Sequence, residues 1–147
     1  MPIDTSGKWW KGSTPKDIDE YLHAVSSGSN AVSDFRLSRC PCGGLAFRLE
    51  VEGDEGIAKR TCAACGTEHF IGDSAENFEP GMRLKKLKCI CKKSDIANVG
   101  VGFSRYEGSE GVRWLWVGHR CVRCGVLGSM VDWKIGYEPS SHLLELA

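Results

Sequence analysis

The sequence predicts a small, metal-bound, mainly β protein of the α+β type, with two antiparallel β units behind one N-terminal helix. The first observation behind this prediction is that the eight cysteines form four pairs in the order CxC, CxxC, CxC, CxxC. The second concerns the stretch between each CxC and the following CxxC. It alternates apolar and polar residues on both sides of a turn rich in glycine and acidic residues, which is typical of a β-hairpin. The predicted parts are residues 1–39, with the helix and a lead-in strand, 40–80, the first unit, and 81–147, the second unit with a longer hairpin and a C-terminal tail.

The N-terminal helix is predicted to begin after Thr14, which suits the N-cap position, with Pro15 as the first helical residue. Asp17 places a negative charge in the first turn, where it interacts favourably with the positive end of the helix dipole. An apolar face follows at the i, i+3, i+4, i+7 spacing and consists of Ile18, Tyr21, Leu22 and Val25. The Ser-Ser-Gly-Ser-Asn run at 26–30 is expected to end the helix.

Alternating patterns predict the strands of both units. The expected strands lie near 35–37, 45–51, 57–61, 69–71, 99–103, 112–117 and 131–137. The acidic stretch 73–80 is expected to break the structure and to separate the units. Gly100, Gly102 and Gly118 stand inside predicted strands, which indicates bulges or a close backbone approach, with room for tryptophan side chains across the sheet.

The two cysteine pairs of each unit are predicted to bind one Zn²⁺, which takes four thiolates in a tetrahedron at about 2.3 Å. Cysteines one or two residues apart reach the same ion where the backbone turns tightly, and glycines at 43, 44, 66 and 125 follow three of the four pairs. The predicted ligands are Cys40, Cys42, Cys62 and Cys65 for one ion and Cys89, Cys91, Cys121 and Cys124 for the other. An interleaved arrangement, in which the first pair joins the third or fourth, is the competing assignment.

Disulfides are the alternative for an even number of cysteines in a short chain. Metal is favoured because cysteines this close in sequence are poorly placed to bridge one another, and because residues 1–10 lack the apolar core of a signal peptide. Iron in a rubredoxin-like site is the minor metal alternative. Free thiolates and the missing export signal together predict a reducing, cytoplasmic location.

Residues 40–65 and 89–124 resemble the zinc-ribbon class in their cysteine pairs and hairpins, so the chain is similar to a tandem zinc ribbon. That resemblance implies a fold and a structural metal and leaves the function open. The second unit also resembles the zinc switch of redox-regulated heat-shock chaperones, with 29 residues between the two pairs and the ligand positions Cys89, Cys91, Cys121 and Cys124. The second resemblance implies a thiol or zinc redox sensor.

Charge is unevenly spread along a chain whose net charge is zero. Residues 40–80 carry three basic and eight acidic side chains, a net charge of −5, and residues 81–147 carry eleven basic and six acidic, a net charge of +5. The densest basic cluster surrounds the third cysteine pair and consists of Arg83, Lys85, Lys86, Lys88, Lys92 and Lys93. We predict that these six residues form a partner-binding surface; a solvated surface that complements the acidic unit is the alternative.

The sequence predicts a non-catalytic protein with two Zn²⁺ whose structural sites support a protein-interaction module. It contains no G-x-S-x-G, phosphate-binding loop or H-E-x-x-H motif, and four cysteines per site leave no open position on the metal. His69 and His119 are interpreted as strand residues rather than outer partners of the metal. The predicted partner is a protein. The first alternative function is binding of nucleic acid by the basic second unit, and the second is redox sensing. No apolar run is long enough to span a membrane, and no oligomeric state is specified.

Overall fold

One antiparallel β-sheet dominates the structure, a computed structural model that describes residues 3–26, 28–136 and 139–147. Its strands are β1 (Asp34–Leu37), β2 (Phe47–Glu52), β3 (Ile57–Cys62), β4 (Glu68–Phe70), β5 (Lys85–Lys86), β6 (Ile96–Arg105), β7 (Val112–Cys121) and β8 (Leu127–Lys134). The helices are α1 (Asp17–Val25) and the single-turn α2 (Ser74–Asn77), with 3₁₀ turns at Gly28–Asn30 and Ser141–Leu146. None of the described helices is long and apolar enough to cross a membrane.

The two cysteine units contribute equivalent halves of this sheet. In each unit a hairpin between the CxC and CxxC pairs continues into a third strand, giving β2–β3–β4 and β6–β7–β8. The halves join where β2 pairs with β6, with Phe47 opposite Ala97. Strand β1, which leads into the first unit, pairs with β6 of the second, and β5, which leads into the third cysteine pair, pairs with β2 of the first. Each hairpin is therefore extended by the lead-in strand of the other unit.

A large apolar cluster on one face of the sheet draws on both units. Phe47 of the first unit and Phe103 of the second are fully buried in it, and Leu143 of the C-terminal turn closes it. The sheet curls until its outer hairpins meet, so that Gly56, between β2 and β3, lies against the ring of Trp133 on β8. The boundary between the two units stays a prediction, since strands from both sides share this sheet and core.

Helix α1 covers the opposite face of the sheet, and glycines let it approach closely. Ile18 and Leu22 are fully buried there, above Gly100 and Gly118, which lie opposite each other on β6 and β7. A Cβ atom on Gly118 would lie only 2.8 Å from Cγ2 of Ile18. The close approach is confirmed, but the side chains that use the space belong to the helix, Val32 and Phe35 rather than to tryptophans.

The helix begins at Asp17, three residues after the predicted N-cap. The carboxylate of Asp17 accepts hydrogen bonds from the backbone N–H groups of Ser13, at 2.7 Å, and Thr14, at 3.0 Å, which fixes a turn before the helix. The buried apolar face is also shorter than predicted, because Val25 at its end is 39% exposed.

Residues 73–80, predicted to break the structure, carry α2 and attach it to the core. The indole N–H of Trp133 donates a hydrogen bond of 3.0 Å to the buried carboxylate of Asp73. The predicted C-terminal tail contains the 3₁₀ turn Ser141–Leu146. Tyr137, the predicted end of the last strand, lies outside the described residues.

Candidate metal centres

The eight cysteine sulfurs gather into two groups of four, one in each unit. The groups are Cys40, Cys42, Cys62 and Cys65, and Cys89, Cys91, Cys121 and Cys124. The Sγ atoms of Cys40 and Cys65 are 3.5 Å apart, and those of Cys89 and Cys124 are 3.3 Å apart. All four sulfurs of a group lie within 4.8 Å of one another. The cysteines therefore combine within each unit, as predicted, and are not interleaved.

These spacings suit zinc. Four sulfurs about 2.3 Å from a tetrahedral ion lie about 3.8 Å from one another, whereas a disulfide brings two sulfurs to about 2.05 Å. Each group therefore suits one Zn²⁺, two for the chain, with four protein ligands and no position left for water. Such a closed Cys₄ arrangement is typical of structural zinc. The described part of the chain holds no further cluster of His, Cys, Asp or Glu that could bind a metal.

In all four cysteine pairs a backbone hydrogen bond closes a turn, from residue i+3 to residue i in the two CxC pairs and from i+4 to i in the two CxxC pairs. In each pair the carbonyl of the first cysteine accepts a hydrogen bond of 2.8–2.9 Å from the N–H of the residue after the second cysteine. These donors are Gly43, Gly66, Lys92 and Gly125. All four residues have a positive φ, between 60° and 93°, a region that glycine enters without steric cost. The turns predicted after the cysteine pairs are confirmed.

Lys92 is the exception within this set, because it holds the glycine position of the third turn. Its φ is +60°, and it is the sole residue other than glycine with a positive φ in the described ranges. A left-handed backbone costs an L-residue roughly 1–2 kcal/mol. The third turn therefore stores strain that the other three avoid, and it does so inside the predicted basic surface.

Hydrogen bonds favour the thiolate form of Cys62 and Cys65 in the first group and of Cys121 in the second. The hydroxyl of Thr67, 3.1 Å from Sγ of Cys65, lowers the pKa of Cys65 to about 6. Backbone N–H groups, foremost that of Cys65, lower the pKa of Cys62. Burial acts to raise the pKa of Cys121, but backbone N–H groups, foremost that of Cys124, outweigh it and bring that pKa to about 7.

The Gly44 N–H favours the thiolate of Cys42, but the neighbouring thiols outweigh it and raise the pKa of Cys42 to about 12. Burial raises the pKa values of Cys89 and Cys124. Since the thiolate is the metal-binding form, the cysteines with lowered pKa are the ones prepared to bind zinc near neutral pH.

Neither histidine near the cysteine pairs is a member of a sulfur group. His69 lies on β4, where its Nε2 is 3.0 Å from the carbonyl oxygen of Leu146, and burial lowers its pKa. His119 lies on β7, and burial lowers its pKa to about 4. Both are strand residues, in agreement with the sequence.

The six basic residues of the predicted partner surface all have exposed side chains. Lys85 and Lys86 form β5, and the other four lie before and after it around the third cysteine pair. Three of the six, Lys85, Lys86 and Lys88, line a cavity of about 380 Å³. Their role in binding stays a prediction.

Sequence reasoning did not find this cavity, because its lining comes from separate stretches that only the fold brings together. These stretches include residues 85–90, 94–97 and 126–130, together with His119. One signal in the sequence points to it. Counted from the CxxC pairs, His119 and Gly128 hold the positions of Arg60 and His69 in the first unit.

Comparisons with known proteins found no relative. No protein-family model, curated protein or solved structure matches the chain. The likeness to zinc ribbons and to the chaperone zinc switch therefore stays a prediction. The assignment of the two Cys₄ groups as metal sites rests on the positions of their sulfur atoms alone.

Proposed function

We propose that this chain is a non-catalytic zinc protein of the tandem ribbon type, whose two Cys₄ sites stabilise a surface that binds an acidic protein partner. The observation that carries the proposal is the run of six exposed cations at residues 83–93, which surrounds a metal-binding turn. Cytoplasm is the proposed location, because a reducing compartment keeps eight thiols available to zinc.

The basic segment is held in place by the sheet, which supports a binding role. Leu87 is buried, and its N–H donates a hydrogen bond of 2.8 Å to the carbonyl of Leu49 on β2. The N–H of Cys89 donates to the carbonyl of Ser94 at 3.1 Å. A surface fixed before the partner arrives loses little conformational entropy on binding, and complementary charge orients the encounter.

Acidic side chains beside the lysines favour a protein over nucleic acid. Glu50 of β2 stands opposite Lys86 in the ladder, and Asp95 lines the same cavity as the lysines, 3.6 Å from Arg48. A polyphosphate backbone gains affinity from an uninterrupted basic track, which these carboxylates break. A protein partner can place its own acidic groups on the lysines and avoid the carboxylates.

The test is capture of partners by zinc-loaded protein from cells of the source organism, with nuclease present. The variant Lys85→Glu/Lys86→Glu/Lys88→Glu is compared with wild type and with a control that reverses three exposed lysines elsewhere, Lys11→Glu/Lys16→Glu/Lys134→Glu. We expect one set of proteins to bind wild type and control and to be lost from the first variant. Zinc content and melting temperature should agree among all three proteins, since surface charges change stability by under about 0.5 kcal/mol each.

Two results would overturn the proposal. If the first variant folds and captures every protein that wild type captures, the basic segment is not the binding surface. If wild type captures proteins only in a parallel sample without nuclease, the partner is nucleic acid.

A further inference from the structure

The two units carry equivalent pairs of facing residues beside their CxxC turns. In the first unit Arg60 of β3 pairs with His69 of β4. In the second unit His119 of β7 pairs with Gly128 of β8. The first member of each pair lies two residues before the CxxC motif and the second lies four residues after it. The same position in the fold is therefore built twice with different side chains.

In the first unit this position binds the chain's own C-terminal segment, Ser141–Ala147. Arg60 Nη2 donates a hydrogen bond of 3.0 Å to the backbone oxygen of Ala147, and His69 Nε2 donates one of 3.0 Å to that of Leu146. Arg60 also reaches the carbonyl of Arg39, the residue before the first CxC, at 3.4 Å. The groove thus accepts a short apolar peptide, since Leu143 and Leu144 of the same segment are buried.

In the second unit the equivalent residues line a cavity. Lys88, His119 and Gly128, which correspond to Arg39, Arg60 and His69, all line the cavity of about 380 Å³. Gly128 has no side chain, and the ring of His119 lies over it, with Cε1 and Nε2 2.8 Å from where a Cβ atom would be. The buried Nδ1 of His119 has no hydrogen-bond partner among the residues that the structure describes.

We propose that this cavity binds a short apolar peptide segment with carboxylate side chains, supplied by the partner protein. The inference rests on the proposed function and names the part of the partner that is recognised. Its precedent is the first unit, where a leucine-rich segment fills the equivalent groove. The requirement for carboxylates comes from Lys85, Lys86 and Lys88 at the cavity, and Leu87 and Met130 supply apolar lining.

The probe is an acetylated and amidated peptide with the sequence of residues 141–147, Ser-His-Leu-Leu-Glu-Leu-Ala. It is titrated into the ¹⁵N-labelled, zinc-loaded full chain, and the backbone amide resonances are followed by NMR. We expect saturable shifts at Lys86, Lys88, His119 and Gly128. A peptide with glutamine in place of its glutamate should bind about tenfold more weakly, which corresponds to the loss of one charge-assisted hydrogen bond.

Variants make the assignment specific. Lys88→Glu should weaken binding of the peptide about tenfold, whereas Lys93→Glu, an equally exposed lysine of the same turn that does not line the cavity, should leave it unchanged. Unchanged zinc content and amide dispersion show that both variants fold.

Three outcomes would overturn the inference. They are no saturable shifts, shifts confined to the surroundings of Arg60 and His69 because the peptide displaces the chain's own segment, or equal weakening by both variants. If the triple lysine reversal abolishes capture of proteins while the peptide leaves the cavity amides unshifted, the proposed function stands and this inference fails.

Discussion

Phe47 of β2 lies directly opposite Ala97 of β6, and this pair joins the two cysteine units into one sheet. Both side chains are buried in the apolar cluster that the units share. Each residue also follows closely on the CxC turn of its own unit. A change at one metal site therefore has a short structural path to the strands of the other, and the prediction on removal of zinc depends on this arrangement.

The purified protein is expected to hold two Zn²⁺ per chain, since each group of four sulfurs suits one ion. Metal analysis by mass spectrometry on protein expressed without a metal-affinity tag measures the stoichiometry. Cys42→Ser removes one ligand of the first group and should lower the zinc content, while His23→Ala, an exposed residue of α1, should keep both ions. One zinc per chain in wild type, or iron in place of zinc, would contradict the assignment.

Removing zinc is expected to unfold the whole sheet cooperatively. Closed zinc sites contribute folding free energy directly, and the two units share strand pairs and core. With excess chelator the melting temperature should fall sharply, and the resonances of β2 and β6 should lose dispersion together. The measurement is thermal unfolding after equilibration with a strong chelator. Cys62→Ser should also destabilise the fold far more than His23→Ala. Separate melting of the two units, or an unchanged melt, would count against this coupling.

Lys92→Gly is expected to stabilise the zinc-loaded protein by about 0.5–1 kcal/mol. The substitution relieves a left-handed backbone at φ +60°, partly offset by the greater freedom of glycine in the unfolded chain. Denaturant unfolding at constant free zinc measures the change. Gly43→Ala at the equivalent CxC turn, where a Cβ atom meets nothing within 4 Å, should destabilise through the backbone alone. Lys93→Gly controls for the lost charge, and equal effects of the two lysine variants would refute the explanation.

Gly118→Ala is expected to destabilise the protein by about 1–3 kcal/mol, the usual range for overpacking a core. The new methyl group would lie 2.8 Å from Cγ2 of Ile18 and 3.1 Å from Leu22, so α1 must shift away from the sheet. Gly53→Ala, in the open turn between β2 and β3, is the matched control and should stay within about 0.5 kcal/mol. Should the two variants unfold at the same denaturant concentration, the close packing of α1 on β7 would be disproved.

The stability of the fold is expected to fall between pH 7.5 and 5.5, in part through His69. Burial lowers the pKa of His69 below its ordinary 6.5, and the positive charge of Arg60 adds to this. The neutral ring therefore stabilises the folded state above the unfolded pKa, and this contribution is lost as the pH falls below about 6.5. In His69→Gln the side-chain amide can still donate to the Leu146 carbonyl without titrating, so the variant should lose less stability over this interval. Parallel pH curves for the two proteins would rule out the effect.

The cysteine spacing by itself predicted both sets of four thiols, and the fold excludes the interleaved alternative. A CxC or CxxC turn is local, and a hairpin that starts at one pair and ends at the next brings four thiols together. The buried residues Ile18 and Leu22 of α1 and the alternating strands of each hairpin were readable for the same reason, since each depends on residues close in sequence.

Only the tertiary structure decided which strands become neighbours. Alternation along a strand defines its buried face but does not specify the neighbouring strand. The pairing of Asp34 with Phe103 and of Glu50 with Lys86 across the two units therefore could not be predicted from the sequence. The cavity beside the third cysteine pair has the same origin. His119 and Gly128 line this cavity, whereas the C-terminal segment packs in the first unit, where Arg60 and His69 bind its backbone. Leu146 lies 77 residues from His69 along the chain, so no local pattern shows where this segment packs.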